Sequence, residues 1–583
     1  MILQALKEFY DRKFSEGGLP PPGFEIREIP FIIVVDKQGN FISLEDTREP
    51  NESNRMVGKK FLVPSAKSRT SSITSETANL MWDNIGYVLG ISTEDKPESQ
   101  ELANKKHAAW IESLMSLPAN LRESPEGKAV IQFYQNGGID SALKSQEIEE
   151  CKKISGCNIA FRLNSEHLPV PAGEAVKKYQ KSQIDLPGKK GKVVVGTDLV
   201  TGKTGQIVRL HRKTRIYGGG DSLVSFQVNS GYDSYGKEQG YNSPITNNTE
   251  FSYTTALNYL LRSKNQQIII GDTQTLFWGS KENKLEEKIS ILFEDPEAPD
   301  PDSNVSQVKE LFNSIRSGAY IREDGEIPFF VLGLSSNSHR ISVRFWENGS
   351  VSEFAEKIKQ YFDDFSIISE PNQPEFYPLK TILVNISTLN KFENIPPSLA
   401  GDVMRAILKG TPYPAAMLQL AVRRIRSDVR NRVTRVRTAT IKAYLNRYYG
   451  LYTHRKIKEI TMKLDETQPS AGYQLGRLFA TLERIQEKAN PSLNATIRDR
   501  FYGSACTSPV SVFPTLLRLK NHHLAKIESK GMVTWFEKKL GKIMDNVERF
   551  PSHLDLQEQG MFAIGYYHQR QDFFTRKEET SEE

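Results

Sequence analysis

The stretch spanning residues 423–463 constrains the fold more than any other. It holds Arg423, Arg424, Arg426, Arg430, Arg432, Arg435, Arg437, Lys442, Arg447, Arg455, Lys456, Lys458 and Lys463, opposed only by Asp428 and Glu459. Its formal charge is about +11 in a chain whose net charge is +6, so the remainder is slightly acidic. So many cations fold together only if apolar residues anchor them to a core. Leu418, Val422, Ile425, Val429, Val433 and Val436 recur at three- and four-residue steps, the spacing of one helical face. This predicts a helix with Arg423, Arg426 and Arg430 on another face, a row of guanidinium groups suited to bidentate phosphate contact. The sparse acid favours polyanion binding, and a solvated basic face with no ligand is the alternative.

The rest of the chain sets the class. At 583 residues it has the length of three or four domains, and 38% hydrophobic with 25% charged residues fits a folded protein. Cys151, Cys157 and Cys506 are too few and wrongly spaced for a zinc site, and they fit a reducing, cytoplasmic setting. The first residues, with Ile2, Leu3, Leu6, Phe9 and Tyr10, read as an amphipathic helix rather than a signal peptide. No run approaches the ~20 apolar residues of a membrane span.

The pattern then predicts an α+β protein: a mixed N-terminal α/β region with an antiparallel sheet, followed by a C-terminal all-α helical bundle. The expected divisions are 1–295, 303–395, 396–460 and 461–583, with the acidic, proline-bearing 294–302 as a linker. Residues 31–35 and 41–44 read as a hairpin around 36–40. Residues 107–117 and 129–133 are helical or buried pieces. Strands are expected at 192–195, 207–210 and 222–228, and a helix follows at 251–261. Residues 271–278, 329–334 and 341–345 are further strands, with Arg340 and Arg344 on one face, before a helix at 352–361. Apolar repeats at 475–485, 512–524, 533–547 and 556–567 predict the bundle.

Two polar loops carry candidate chemistry. The first holds Lys67, Ser68, Arg69 and Ser71 ahead of Trp82-Asp83-Asn84, and its hydroxyls and cations suit phosphates and base edges. A capped helix start near 74–76 explains it equally well. The second runs over 229–244 and combines glycines, tyrosines, Lys237 and Gln239. Close backbone approach, stacking and base-edge contact are all open to it, as is an ordinary surface loop. Residues 196–204 resemble a P-loop but place five residues between the glycines where four are needed, which favours a hairpin turn. No HExxH, GxSxG or dinucleotide motif occurs, His522-His523 is a poor metal pair, and Asp363-Asp364 lacks a histidine partner. These features favour a binding subunit over an enzyme, with no cofactor. A nuclease with an unrecognised metal site and a scaffold that binds only protein are the competing classes.

Read in order, a series of short motifs resembles the large subunit of the type I-C CRISPR Cascade surveillance complex, nearly end to end. They are Met1-Ile2-Leu3-Gln4-Ala5-Leu6, Pro21-Pro22-Gly23-Phe24, Trp82-Asp83-Asn84 with Tyr87-Val88-Leu89-Gly90, and Ser234-Tyr235-Gly236-Lys237-Glu238-Gln239-Gly240. Later come Phe330-Val331-Leu332-Gly333-Leu334-Ser335, Arg340-Ile341-Ser342-Val343-Arg344-Phe345-Trp346 and Pro396-Pro397 through Gly410-Thr411-Pro412-Tyr413-Pro414. Asn494-Ala495-Thr496-Ile497-Arg498-Asp499-Arg500 and Gly565-Tyr566-Tyr567-His568-Gln569-Arg570-Gln571-Asp572 complete the series. Residues 71–77 depart from it, since a glycine and fewer hydroxyls are expected there.

The resemblance implies a non-catalytic subunit that reads a protospacer-adjacent motif on duplex DNA and promotes opening, while guide pairing supplies the remaining specificity. It implies crRNA-bearing backbone and crRNA-processing subunits, a small subunit and a helicase–nuclease as partners. The motif reader is expected among Lys67, Ser68, Arg69, Ser71, Asn229, Tyr235, Lys237 and Gln239, with Tyr235 or Gln239 as the wedge. Arg423, Arg426, Arg430 and Arg437 would hold nucleic-acid backbone. Arg477, Arg484, Arg498, Arg500, Arg518 and Lys520 would extend that track or serve as plain helix-surface charge. The C-terminal helices resemble the small subunit, and Met462 is either an internal start for a separate copy or a buried methionine.

Overall fold

All five side chains of the strand Phe31–Val35 are buried, which explains why an unbroken run of β-formers occupies it. In the computed structural model the described residues are 1–51, 54–67, 69, 72–94, 96–184, 194–228, 230–231, 235–292, 313–314, 317, 325–337, 340–369, 377–452 and 458–574. The chain divides into two compact units. One comprises Leu6–Arg212 with Val224–Ala256, and the other Met1–Ala5, Lys213–Leu223 and Leu257–Glu583.

In the first unit, Phe31–Val35 lies inside a four-stranded sheet ordered Phe41–Asp46, Phe31–Val35, Asn158–Leu163, Trp82–Asn84. The hairpin expected at 31–44 forms, and the Asp36 carboxylate accepts the amides of Gln38 and Asn40 at 2.9 Å each. The sheet is mixed, not wholly antiparallel, because Phe31–Val35 pairs in parallel with Asn158–Leu163. Parallel pairing needs a long crossover, and residues 36–157 supply one that includes the helices Pro97–Met115 and Pro125–Gln135. Those helices cover the sheet with Trp110, Ala129, Val130 and Phe133 against Phe31, Ile33 and Phe161. The expected strands at 207–210 and 222–228 are not seen. Ile207 makes one bridge to Thr246, and a short hairpin instead joins Val195–Thr197 to Thr204–Gln206, while the hairpin of Lys213–Ile216 with Gly219–Ser222 belongs to the second unit. The P-loop-like segment is thus a hairpin turn. Asp198 ties it down by accepting from the Val200 and Thr201 amides and from the Thr246 amide and hydroxyl. Burial opposes its charge, but these bonds prevail and pull its pKa to about 2.

The second unit carries an antiparallel sheet in the order Gln267–Ile270, Thr273–Gly279, Pro328–Asn337, Arg340–Ser350. Thr273–Gly279 pairs directly with Pro328–Asn337, so the sheet joins residues on either side of the division expected at 295–303. The linker residues 294–302 themselves lie outside the described residues. The helix Val351–Phe365 follows, opened by a capping box between Ser350 and Glu353. From Leu379 onward the described secondary structure is helical. One apolar core runs from Ile268 through Leu418 and Leu445 to Tyr566, so the three expected modules after residue 303 share their interior. Met462 is half exposed rather than buried, and its carbonyl accepts the Ile368 amide at 2.9 Å.

Two helices of the bundle, Ala471–Ala489 and Leu556–Asp572, meet backbone to backbone. A Cβ on Gly476 would stand 2.1 Å from the Phe562 carbonyl oxygen, and one on Gly565 would stand 2.0 Å from that of Tyr473. Glycine alone permits this approach.

Candidate nucleic-acid interface

The basic stretch forms two helices, not one. Ala415–Ser427 buries Met417, Leu418, Ala421, Val422 and Ile425, then stops at Asp428. The Asp428 carboxylate accepts from Arg424 at 3.1 Å, from Arg437 at 2.9 Å and from the Asn431 amide at 3.1 Å. These bonds outcompete continuation of the helix, since a short acidic side chain offers the backbone an alternative partner. Val429, expected on the buried face, is 52% exposed as a result. The second helix, Arg435–Tyr452, buries Arg435, Arg437, Lys442 and Arg447.

This split separates the cations by role. Arg437, expected on nucleic-acid backbone, is interior and donates to the carbonyl oxygens of Asn385, Asn431 and Arg432 as well as to Asp428. Lys442 reaches the carbonyl oxygens of Asp363 and Asp364, and Arg447 donates to the Asp364 carboxylate at 2.6 Å while lying over the Tyr413 ring. Arg432 donates to the carbonyl oxygens of Arg426 and Asp499. Arg423, Arg426 and Arg430 are exposed, with no ion-pair partner among the described residues. Arg455 and Lys456 lie outside the described residues.

Arg423 and Arg426 line a cavity of about 670 Å³ together with Gln419, Ser427, Gly503, Ser504 and Thr507, and among the described residues no carboxylate lines it. The far wall is the helix Ile497–Thr507, held at its start by a capping box between Thr496 and Asp499. A side chain at Gly503 would meet nothing within 4 Å, so the groove is open there. Arg500 is exposed one turn before Gly503 and Ser504. Two unpaired guanidinium groups facing hydroxyls and an amide suit a phosphate-bearing ligand.

The remaining basic candidates divide unevenly. Arg477 is buried, where it donates to Gln569, Gln474 and Glu466, so it presents no surface charge. Arg484 pairs with Glu487 at 3.0 Å and lies over Phe574. Arg498 stands 3.9 Å from the buried Glu483. Lys520 pairs with Glu537 at 3.1 Å.

In the first unit, Lys67 is exposed and its backbone amide is fixed by Asn79 at 2.9 Å. Arg69 pairs with the fully buried Asp83 and lies 4.6 Å from the centre of the Tyr87 ring. Burial raises the Asp83 pKa, against the amides of Asn79 and Asn84 and the Arg69 charge. Asp83 therefore anchors this loop, a role that its sequence context did not disclose. Ser68 and Ser71 lie outside the described residues, as does Asn229 of the second loop. On that loop Tyr235 is 100% exposed at φ 51°, and Gln239 sits at φ 47°. Left-handed backbone is uncommon at non-glycine residues and carries some strain. The base is pinned by Gly240, whose amide donates to the Arg209 carbonyl at 2.9 Å and whose Cβ would stand 2.6 Å from that oxygen. The Gln239 side chain accepts from Arg209, whereas the Lys237 ammonium has no partner among the described residues.

Among the described residues no three His, Cys, Asp or Glu side chains gather as a metal site, and no helix is long and apolar enough to cross a membrane. Residues 6–574 match the family model described as CRISPR-associated protein (Cas_Csd1). The chain belongs to this family. No curated protein matches it. The Cas_Csd1 match takes in both loops, the groove and every candidate residue from Lys67 to Arg498.

Proposed function

We propose that this Cas_Csd1 chain is the non-catalytic large subunit of a type I-C CRISPR Cascade complex. In this reading it recognises a protospacer-adjacent motif on double-stranded DNA, promotes duplex opening, stabilises the R-loop and helps recruit a helicase–nuclease. It works in the cytoplasm without a cofactor, beside crRNA-bearing backbone, crRNA-processing and small subunits. Base pairing with the guide supplies specificity beyond the motif.

The observation that carries the reading is the groove in which unpaired Arg423 and Arg426 face Ser427, Ser504 and Thr507 with no acid among them. Such a lining favours a polyanion held by its phosphates. The strained, fully exposed Tyr235 supports the second loop as the group inserted at the first base pair.

The test is duplex binding by the purified chain across a salt series. Arg423→Ala/Arg426→Ala is expected to weaken all duplexes alike and to lower the salt slope by about 2. An unchanged slope would overturn the assignment of the groove.

A further inference from the structure

A second groove lies on the same helical bundle, with a different chemistry. It has a volume of about 550 Å³ and is lined by Arg484, Lys488, Gly531, Met532, Trp535 and Phe573, among others, and among the described residues no carboxylate is in its wall. Its floor is the helix Lys530–Met544, which turns Phe536, Leu540 and Ile543 into the core. Trp535 lies one position off that buried face and is 46% exposed. The other exposed positions of this helix are lysine, glycine, threonine and glutamate, so Trp535 is the one aromatic residue on its exposed face.

The indole is supported on its edges. Trp535 meets Phe536 and Phe573 edge-on, with ring centres 4.9 Å and 6.0 Å apart. Lys539 lies 5.5 Å from its centre and is itself fixed by Asp572. Arg484 is balanced by Glu487, whereas Lys488 is exposed with no ion-pair partner among the described residues. Gly531 keeps the mouth open, because a Cβ there would meet only the Ser529 hydroxyl, at 4.0 Å.

An aromatic face flanked by cations selects a ligand that is flat, π-rich and negatively charged at its edge. The cations argue against an alkylated ammonium, which aromatic cages otherwise take. We infer that the Trp535 groove binds an unpaired nucleobase of single-stranded nucleic acid, stacking it on the indole while Lys488 meets the adjoining phosphate. This rests on the reading of the chain as a nucleic-acid-binding subunit, and it adds to the phosphate groove a site that senses whether bases are unpaired.

The experiment compares the full chain binding to labelled oligothymidylate and to an abasic deoxyribose-phosphate oligomer of equal length. The wild type is expected to prefer the base-bearing strand by about tenfold. Trp535→Ala, and independently Gly531→Leu, which fills the groove at a helix-compatible position, should each abolish that preference, while Trp535→Phe retains most of it. Arg423→Ala/Arg426→Ala should weaken both strands and leave their ratio intact. If the ratio survives Trp535→Ala and Gly531→Leu, the inference is overturned, whatever else binds the groove. If the arginine pair changes nothing but the ratio still depends on Trp535, the phosphate groove fails and the stacking site stands.

Discussion

Asp428 holds Arg437 by an ion pair of 2.9 Å, at the point where the basic stretch breaks into two helices. The bond closes over a guanidinium that is 1% exposed and already donates to three backbone carbonyls. It separates arginines that build the fold from those that face outward.

That separation has a measurable consequence. Arg437→Ala would leave Asp428 and three carbonyl oxygens short of a donor, and breaking such a buried pair costs about 3–5 kcal/mol. Arg423→Ala and Arg426→Ala remove exposed cations and should change stability by no more than about 0.5 kcal/mol. Urea denaturation of the three variants checks both halves.

The close contact between Ala471–Ala489 and Leu556–Asp572 predicts opposite signs for one substitution. Gly476→Ala drives a methyl into the Phe562 carbonyl and should destabilise by about 1–3 kcal/mol or more. Gly541→Ala adds its methyl to open space within the helix Lys530–Met544 and should stabilise by up to about 1 kcal/mol. Melting temperatures that move apart confirm the packing.

Two buried histidines set a pH dependence. Burial beside Lys442 lowers the pKa of His568 to about 3, and its Nδ1 is 3.0 Å from the Tyr473 hydroxyl. Burial lowers His211 to about 4 against Tyr253. Both are neutral in the native state, while the unfolded chain takes up protons near pH 6.5. Their stabilising effect is complete above that value and declines as pH falls towards 4 and then 3. Each histidine should impose a slope approaching about 1.4 kcal/mol per pH unit on its own unit. Thermal unfolding between pH 7 and 5 reads it, and His568→Gln should flatten the response of the second unit.

The sequence was most legible where the signal is local. Phe31–Val35 reads as a strand because four of its five consecutive apolar residues, Ile32, Ile33, Val34 and Val35, are β-branched. The helix around 475–485 is legible because its apolar period persists through the buried Leu475, Leu478, Phe479, Leu482 and Ile485. What was hidden depends on distant partners. The apolar spacing runs on through Val429 and Val433, so nothing periodic marks the break that Asp428 makes by bonding Arg437. Arg477 reads as a surface cation, yet it is sheltered by Gln569, which is 92 residues away. The pairing of Thr273–Gly279 with Pro328–Asn337 likewise spans a segment whose composition resembles a linker. The exposure of Arg423 and Arg426 was legible because an amphipathic helix displays its charged face whatever follows it. Asp83 was missed because a carboxylate next to Trp82 looks no different when buried.

The central claim is that motif reading and phosphate grip belong to different residues of this Cas_Csd1 chain. The direct measurement is binding of a short duplex by the reconstituted complex, scanning the motif bases at fixed salt. Lys237→Ala, Gln239→Ala and Arg69→Ala are compared with Arg423→Ala/Arg426→Ala. The account predicts that the loop variants flatten the motif preference, while the arginine pair lowers affinity for every duplex by a similar factor. Unchanged motif preference in all three loop variants would contradict it.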